Sequence, residues 1–239
     1  VHPSDAKLSP VHIIVWLKPG SAPRIAIGSL EKRIAEAVRT WQDNLRDALI
    51  DHCGEEKRLK LYRRFGECFP AAYAEDFDPV TAVDDIEHLL QLDQAGARPV
   101  MKLFRPADTN DRRLHFKVYR KGEPIPLSDA LPLLENMGLK VIAERPYRMR
   151  MAPDQVWIQD FEIILPEKSP VRLKDIADRF TDAFAAVWQG EIEDDSFNRL
   201  ILEAGLDWRS TSMLRAYCRY LLQTGIPYSQ AYMEEVLLN

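Results

Sequence analysis

Residues Leu127–Tyr147 read LSDALPLLENMGLKVIAERPY, and this segment carries the clearest secondary-structure pattern of the sequence. Its apolar residues follow the i, i+3, i+4, i+7 spacing of one helical face: Ala130, Leu133, Leu134 and Met137. Ser128 is a residue type favoured at helix N-caps, and Gly138 is one favoured where helices stop. The residues after Gly138, KVIAERPYRM, are typical of a strand. This stretch therefore predicts one helix, begun by Ser128 and ended near Gly138, and then one strand.

Further strands are predicted on both sides of this stretch. PVMKLFRP (residues 99–106) and LHFKVYRKG (residues 114–122) precede it, and VWIQDFEIILP (residues 156–166) follows it. In LHFKVYRKG apolar and polar residues alternate, so we expect one buried face and one solvent-facing face. The expected buried side chains are Leu114, Phe116 and Val118, and the solvent-facing ones are His115, Lys117 and Tyr119. In the last strand we expect Trp157, Phe161, Ile163 and Leu165 on the buried side, with Asp160 and Glu162 opposite.

Helices are predicted before and after this block of strands. One helical pattern runs from Leu30 to a stop at Gly54, and a second covers residues 55–66. Asp78 is a predicted N-cap with Pro79 in the first turn of its helix. A separate strand is predicted at Val11–Leu17. After Pro170 the predicted helices cover about residues 172–189, 196–204, 210–223 and 229 onward.

The order of elements predicts an α+β fold, in which a βαββα sheet unit is flanked by helical segments on both sides. The unit resembles the split βαβ of ferredoxin-like folds. We expect three parts: a strand and helical segment at residues 1–95, the α+β domain at residues 96–190, and a helical segment at residues 191–239.

The composition bears on location and on partners. The net charge of −5 over 239 residues gives no reason to expect general nucleic-acid binding. No apolar run approaches the ~20 residues that span a bilayer, and no signal peptide is visible. The odd number of widely spaced cysteines, three, suits a reducing compartment, so we expect a cytoplasmic protein. The missing initiator methionine suggests a piece of a longer chain.

Motifs for catalysis and for cofactor binding are missing from the sequence. The ten glycines form neither a G-x-G-x-x-G fingerprint nor a phosphate-binding loop, so we expect no dinucleotide site in this segment. None of the five histidines pairs with another histidine or cysteine at helical spacing, so we expect no metal site. We therefore assign no catalytic, cofactor-binding or metal-binding residue.

The acidic clusters leave two interpretations open. They are EDFD (residues 75–78), VDDIE (residues 83–87) and EIEDD (residues 191–195). Helix caps and solvated helix starts are favoured over an acid/base pair or a cation site, because no neighbouring base completes a catalytic constellation. Ser128 beside Asp129 is a nucleophile next to a carboxylate, yet no Gly-x-Ser-x-Gly elbow frames it, and capping explains it better.

A basic stripe lies in ERPYRMR, with Arg145, Arg148 and Arg150. If the strands pair, these cations could share one face and bind an acidic ligand or partner. The alternative is a solvated face on which Glu144 and Glu162 are their cross-strand partners.

Six segments, in chain order, resemble the large bacterial NAD-specific glutamate dehydrogenases. They are AEAVRTWQDNLRDAL, FPAAYAEDFDPVTAVDDIE, LHFKVYRKGEPIPLSDALPLLENMGLKVIAERPY, WIQDFEI, FNRLILEAGLDWR and MLRAYCRYLLQTGIPYSQAYM. The resemblance implies a place in the N-terminal ACT-like regulatory region, leading into a catalytic core that is absent from this chain. The full-length enzyme would use NAD to convert L-glutamate and water into 2-oxoglutarate, ammonia and NADH. The family's catalytic lysine and Rossmann motif find no counterpart in this sequence.

The resemblance also implies a site and partners. The α+β domain would be an ACT-like unit, with Met101–Arg105 in place of its missing fourth strand. Effectors of ACT domains often bind at the loop after the first strand, here Lys121, Gly122, Glu123 and the Ser128 helix start, where backbone N–H groups could hold a carboxylate. With Arg145, Arg148 and Arg150 these are the candidate effector or interface residues. Expected partners are the rest of the polypeptide, identical subunits and an amino-acid or dicarboxylate effector; the alternative is an assembly module without an effector.

Overall fold

The computed structural model describes residues 16, 26–53, 55–96, 98–106, 112–167, 169 and 172–238, apart from the side chains of residues 53, 55, 56, 58 and 175. The chain divides into two compact units, residues 1–40 and residues 41–239. In the first unit, helix α1 spans Ile27–Ala37 and has no buried residue. The strand predicted at Val11–Leu17 lies outside the described residues, apart from the exposed Trp16. The predicted division at residues 95 and 190 stays a prediction.

The second unit opens with four helices: α2 (Trp41–Cys53), α3 (Glu55–Phe65), α4 (Ala71–Asp76) and α5 (Pro79–Gln94). The single helix predicted from Leu30 to Gly54 is wrong, because α1 ends at Ala37 and α2 begins at Trp41. Thr40, a residue type favoured at N-caps, lies immediately before Trp41, the first residue of α2. Helix α4 has no counterpart among the predicted elements. The predicted cap of α5 is confirmed: Asp78 Oδ1 accepts the Thr81 N–H at 2.7 Å.

Four antiparallel strands form one sheet in the order β1-β2-β4-β3. They are β1 (Val100–Phe104), β2 (Arg113–Lys121), β3 (Lys140–Met149) and β4 (Val156–Ile164). Helix α6 (Leu127–Asn136) joins β2 to β3, and α7 (Leu173–Trp188) follows β4. The predicted α+β class with its βαββα unit is therefore confirmed. Strand β1 lies beside β2, with Leu103 opposite Phe116, and so fills the edge position expected for Met101–Arg105.

Helix α6 ends as predicted but begins differently. Gly138 has a φ of +82°, and its N–H donates to the Glu135 carbonyl at 2.8 Å. The Leu139 N–H donates to the Leu134 carbonyl at 3.0 Å, which completes a Schellman turn. The predicted Ser128 cap is wrong: the N-cap is Pro126, which offers no side-chain acceptor. Since the helix already begins at Leu127, Ser128 lies inside its first turn, exposed to solvent, and donates to Asp129 Oδ1 at 3.1 Å.

Both faces of the sheet are buried. On one face Leu114, Phe116 and Val118 pack against α6 and α7, as predicted, and the Phe116 ring centroid is 5.0 Å from that of Phe180. On the other face Tyr119, Tyr147 and Ile158 pack against α2–α5. The predicted solvent exposure of Lys117, Tyr119 and Asp160 is therefore wrong, because their exposed fractions are 0%, 0% and 2%.

The C-terminal helices pack on a small third cluster. After a 3₁₀ turn at Ser196–Asn198 come α8 (Arg199–Glu203), α9 (Trp208–Gln223) and α10 (Gln230–Leu237). Asp207 caps α9 and Ser229 caps α10 through their side-chain oxygens. The buried Arg215 holds the 3₁₀ turn, because it donates to Asp195 at 2.7 Å and to Asn198 at 2.9 Å. No helix in the described part of the chain is long and apolar enough to cross a bilayer.

Candidate functional site

The loop between β2 and α6 carries four of the predicted site residues. Lys121 Nζ lies 3.2 Å from Asp154 Oδ2, so a carboxylate of the chain itself already pairs with it. Gly122 has a φ of +87°, and its N–H donates to the Gln155 carbonyl at 2.8 Å, so this amide is not free for a ligand. Glu123 and Ser128 are exposed. The loop thus places these residues at one end of the sheet, with Lys121 and Gly122 engaged internally.

The basic stripe on β3 is divided between different surroundings. Arg145 pairs with Asp76 of α4 at 2.9 Å, and the Asp76 carboxylate raises the pKa of that arginine. Glu144 accepts from Gln159, and Glu162 pairs with Arg113. In the described structure these two glutamates therefore have partners other than the stripe, unlike the alternative in which they pair with it across the strands. Among the described side chains, Arg148 and Arg150 have no carboxylate partner.

The most buried charges lie between the sheet and α5. Lys117 of β2 and Asp85 of α5 are both 0% exposed, and Lys117 Nζ lies 2.6 Å from Asp85 Oδ2. The Tyr119 hydroxyl donates to Asp85 Oδ1 at 2.7 Å, and the Tyr73 hydroxyl donates to Asp85 Oδ2. We call these four side chains the Lys117–Asp85 network. It satisfies the carboxylate with three donors, which a buried charge requires.

Aromatic rings surround the buried ammonium. Lys117 Nζ lies 3.6 Å from the Phe77 ring centroid and 5.3 Å from that of Phe104, within the range of cation–π attraction. Burial, and then the neighbouring Asp85 carboxylate, raises the pKa of the Tyr73 and Tyr119 hydroxyls well above the usual value. Both tyrosines therefore stay protonated and act as donors. The arrangement is suited to fastening helices to a sheet, not to proton transfer with solvent.

A second row of polar contacts supports the network. His115 Nδ1 lies 2.8 Å from Asp160 Oδ2 on the neighbouring strand, and Lys102 of β1 pairs with Asp84 of α5. His88 stacks on the Tyr119 ring with centroids 5.1 Å apart, and burial lowers the pKa of this histidine. The contacts of Lys102 with Asp84 and of His88 with Tyr119, together with the Lys117–Asp85 network, tie α5 to β1 and β2.

The acidic clusters fall into several roles. Asp78 and Asp195 are caps, as favoured. The interpretation as solvated helix starts is wrong for Asp85, which is buried and fully paired, while Glu193 pairs with Arg219 far along the chain. In the described part of the chain no three histidine, cysteine or acidic side chains are grouped as metal ligands would be.

An arginine-lined cavity of about 790 Å³ opens between the end of α3 and the end of β3. Arg63, Arg64 and Arg150 line it, together with Glu67. Asp93 already pairs with Arg64, so Arg63 and Arg150 share the cavity with Glu67 and one net positive charge is left over.

An unsatisfied donor lies on the opposite face of the sheet, on β4. Among the described side chains, the Trp157 indole N–H is buried and has no hydrogen-bond acceptor. In the register of the sheet Trp157 stands between Arg120 of β2 and Arg148 of β3. Arg120 lies over the Trp188 ring at 5.6 Å, and no described carboxylate pairs with either arginine. We call Arg120, Trp157 and Arg148 the Arg–Trp–Arg row; the sequence signal for it is one basic residue near the end of each flanking strand.

Strand β1 and the strands of the βαββα unit form one sheet that helices cover on both faces. This architecture defines an ACT-domain segment, with helical motifs before and after it. Three family models match in chain order, all described as parts of glutamate dehydrogenase. They are helical motif 2 at residues 48–92, the ACT3 domain at residues 98–176 and helical motif 3 at residues 192–239.

Whole-chain similarity then gives the family. The chain is 39% identical over 234 residues to the NAD-specific glutamate dehydrogenase of Halomonas elongata and 38% identical over 236 residues to that of Pseudomonas aeruginosa. Each match covers 98% of this chain and 14% of the relative. The Mycobacterium tuberculosis NAD-specific glutamate dehydrogenase is 35% identical over 225 residues, which cover 90% of this chain and 13% of the relative. The chain belongs to the large NAD-specific glutamate dehydrogenases, and it spans about 14% of the length of the first two.

Proposed function

We propose that this chain is a non-catalytic regulatory and scaffolding segment of an NAD-dependent glutamate dehydrogenase. The full-length enzyme would oxidise L-glutamate with NAD and water to 2-oxoglutarate, ammonia and NADH in the cytoplasm. The observation that carries the proposal is the Lys117–Asp85 network, which fastens the motif 2 helices to the ACT-like sheet. A rigid connection of this kind suits a segment that transmits a conformational change from one part of a long polypeptide to another.

The proposed partners are the rest of the polypeptide and identical subunits, with an amino acid or a dicarboxylate as effector. NAD belongs to the full-length enzyme in this proposal. Support comes from the names of the relatives and from the three matched parts of glutamate dehydrogenase.

The experiment is to supply the purified chain with L-glutamate and NAD and to follow NADH formation by absorbance. A full-length relative assayed in parallel is the positive control. No NADH is expected from the chain alone, because the cofactor motif and the catalytic lysine motif are missing from its sequence. NADH formed in proportion to the amount of chain would contradict the non-catalytic proposal.

The second candidate is a subunit-assembly module that binds no effector. The observation in its favour is an exposed stripe on the C-terminal helices, with Tyr217, Tyr220 and Tyr232 exposed by 62%, 64% and 50%. Exposed apolar surface of this kind suits a protein contact. Thermal unfolding with a panel of amino acids and dicarboxylates separates the candidates, since a ligand of the folded state raises the melting temperature. A melting temperature that no ligand changes favours assembly.

A further inference from the structure

We propose that the basic groove between the end of α3 and the end of β3 is a docking site for an acidic segment of a partner protein. The groove consists of two adjoining cavities of about 790 Å³ and about 460 Å³, and Arg150 lines both. We call these two cavities the Arg150 groove. The proposal goes beyond the proposed function, since neither the non-catalytic role nor the assembly candidate depends on it.

The first argument is the charge of the groove. Its walls carry four arginines, which are Arg63, Arg64, Arg148 and Arg150. Glu67 also lines it, and Asp93 pairs with Arg64, so two positive charges are left over among the described side chains. The whole chain has a net charge of −5, so the groove is a local positive region on an acidic protein. A partner that presents carboxylates is attracted to such a region.

The second argument is that Arg150 is held beside the helical layer. Its backbone N–H donates to the Cys68 carbonyl at 2.8 Å, which brings Arg150 to the turn after α3. The helix dipole accounts for Arg63 and Arg64, because cations are favoured in the last turn of a helix. It does not account for Arg150, which has no carboxylate partner among the described side chains. Cations that line one cavity repel one another, and an acidic occupant offsets this repulsion.

The third argument is the apolar base of the groove. Cys68 and Phe69 line the larger cavity and are buried, and the Phe69 ring packs on the Trp41 ring with centroids 5.4 Å apart. Tyr62 lines the same cavity and is half-buried. An apolar base with arginines around it matches an apolar side chain that has carboxylates on either side.

The exposure of the arginines decides what kind of ligand fits. Arg63, Arg148 and Arg150 are exposed. A single ion pair between exposed side chains contributes little free energy and is screened by salt, so a small anion gains little here. A polypeptide segment forms several such pairs at once and adds apolar contact with the base of the groove. The groove therefore favours an extended acidic segment over a small ion.

Other occupants and other places fit less well. A second copy of the chain offers few free carboxylates, because most side chains of its acidic clusters are engaged internally as caps or ion pairs. Their partners include Thr81, His52, Lys102, Lys117 and Arg215. A nucleic acid meets the negative net charge of the rest of the molecule. At the Arg–Trp–Arg row the indole N–H of Trp157 is buried, so a ligand cannot reach the unsatisfied donor.

The test is fluorescence anisotropy with the full 239-residue chain and a short fluorescein-labelled peptide, in which glutamates stand on both sides of one leucine. We expect saturable binding that weakens at least about threefold between about 50 and about 300 mM salt. Peptides with glutamine in place of glutamate, or with serine in place of leucine, should bind at least about threefold more weakly. Glutarate and inorganic phosphate, at matched ionic strength, should not displace the peptide.

Variants of the groove then test its residues. Arg63→Met and Arg150→Met are each expected to weaken peptide binding about threefold or more, with unchanged circular dichroism, because both side chains are exposed. Glu67→Gln should tighten binding, since it removes a carboxylate from the groove. Arg209→Met, which removes an exposed arginine of α9, is the matched control and should leave the affinity unchanged.

Several results would overturn the proposal. They are no saturable binding, equal binding of the glutamine peptide, and unchanged affinity in both groove arginine variants. Displacement by glutarate or phosphate would show a small-anion site, and tighter binding of a single-stranded oligonucleotide would show a general polyanion surface. If the peptide bound this chain but not the full-length enzyme, the enzyme's own polypeptide would fill the groove instead of a partner protein. None of these results affects the non-catalytic proposal, which fails only if the chain forms NADH.

Discussion

Lys117 of β2 and Asp85 of α5, 32 residues apart in sequence, form an ion pair of 2.6 Å with both side chains 0% exposed. One comes from the ACT-like sheet and the other from the helical segment before it. Because neither charge reaches water, each depends on the other, and Tyr73 and Tyr119 complete the carboxylate's hydrogen bonds. The helical layer and the sheet are thereby joined through their least exposed charges.

Removing one charge of this pair should be strongly destabilising. Asp85→Asn leaves the Lys117 ammonium buried without a counter-charge, and we expect a loss of about 3–5 kcal/mol in the free energy of unfolding, measured with urea. Adding Lys117→Met to Asp85→Asn should recover much of this loss. Arg46→Met, which breaks an exposed pair at 3.8 Å, is the control and should cost no more than about 1 kcal/mol. If Asp85→Asn and Arg46→Met lowered the free energy of unfolding by similar amounts, burial would not be what makes the Lys117–Asp85 pair important.

The sequence predicts the buried sheet face that packs against α6 and α7, and it misses the buried face that packs against α5. Leu114, Phe116 and Val118 are correctly predicted as buried, because alternation identifies one apolar face of β2. Alternation does not show whether a further layer covers the second face, so Lys117 and Tyr119 are misplaced. The sequence of β4 does indicate that both faces of the sheet are buried. Ile158 and Phe161 lie on opposite faces and both are apolar, as in strands buried on two sides.

The positions of the candidate site residues follow from the sequence in part, for similar reasons. The sequence predicts a loop before α6 and places Arg145 and Arg148 on β3, since both depend on local patterns. The pairing of Arg145 with Asp76 depends on α4, which the sequence does not reveal. The Trp157 indole N–H is unsatisfied because no neighbouring group in the described structure accepts a hydrogen bond from it. No local sequence pattern shows this.

The pH dependence of stability should reveal His88. Burial lowers its pKa below the usual 6.5, Asp85 and then Glu87 oppose this shift, and Lys117 adds to it. Below about pH 6.5 the unfolded chain therefore binds a proton that the folded chain does not, and stability falls as the pH is lowered. Urea unfolding of His88→Gln at a series of pH values should show a smaller fall than the original chain. Identical slopes in the two proteins would contradict this role.

Cys68 should be unreactive in the folded protein. Its side chain is 2% exposed, its thiol donates to the Phe65 carbonyl at 3.0 Å, and burial raises the pKa of the thiol to about 12. In a variant with Cys53→Ser and Cys218→Ser, a thiol reagent at about pH 8 should react only as fast as the protein opens, because the thiolate is the reactive form. Urea should accelerate the reaction, and complete labelling on mixing in native buffer would refute the prediction.

The turn after α3 depends on Gly66. A Cβ atom at this position would lie 2.6 Å from the Tyr62 carbonyl oxygen. Gly66→Ala should therefore lower the free energy of unfolding by about 1–3 kcal/mol, as overpacking does. Gly28→Ala is the control, because a Cβ there meets nothing within 4 Å. The prediction fails if the two alanine variants unfold at the same urea concentration.

Native-state hydrogen exchange shows whether the Lys117–Asp85 network makes the helical layer and the sheet one cooperative structure. The amides of α5 and of β2 are expected to exchange with the same free energy of opening, and Asp85→Asn should lower both by the same amount. If α5 instead opens at a distinctly lower free energy while β2 keeps its protection, or if Asp85→Asn weakens α5 alone, the helices and the sheet are separate units and the account is contradicted.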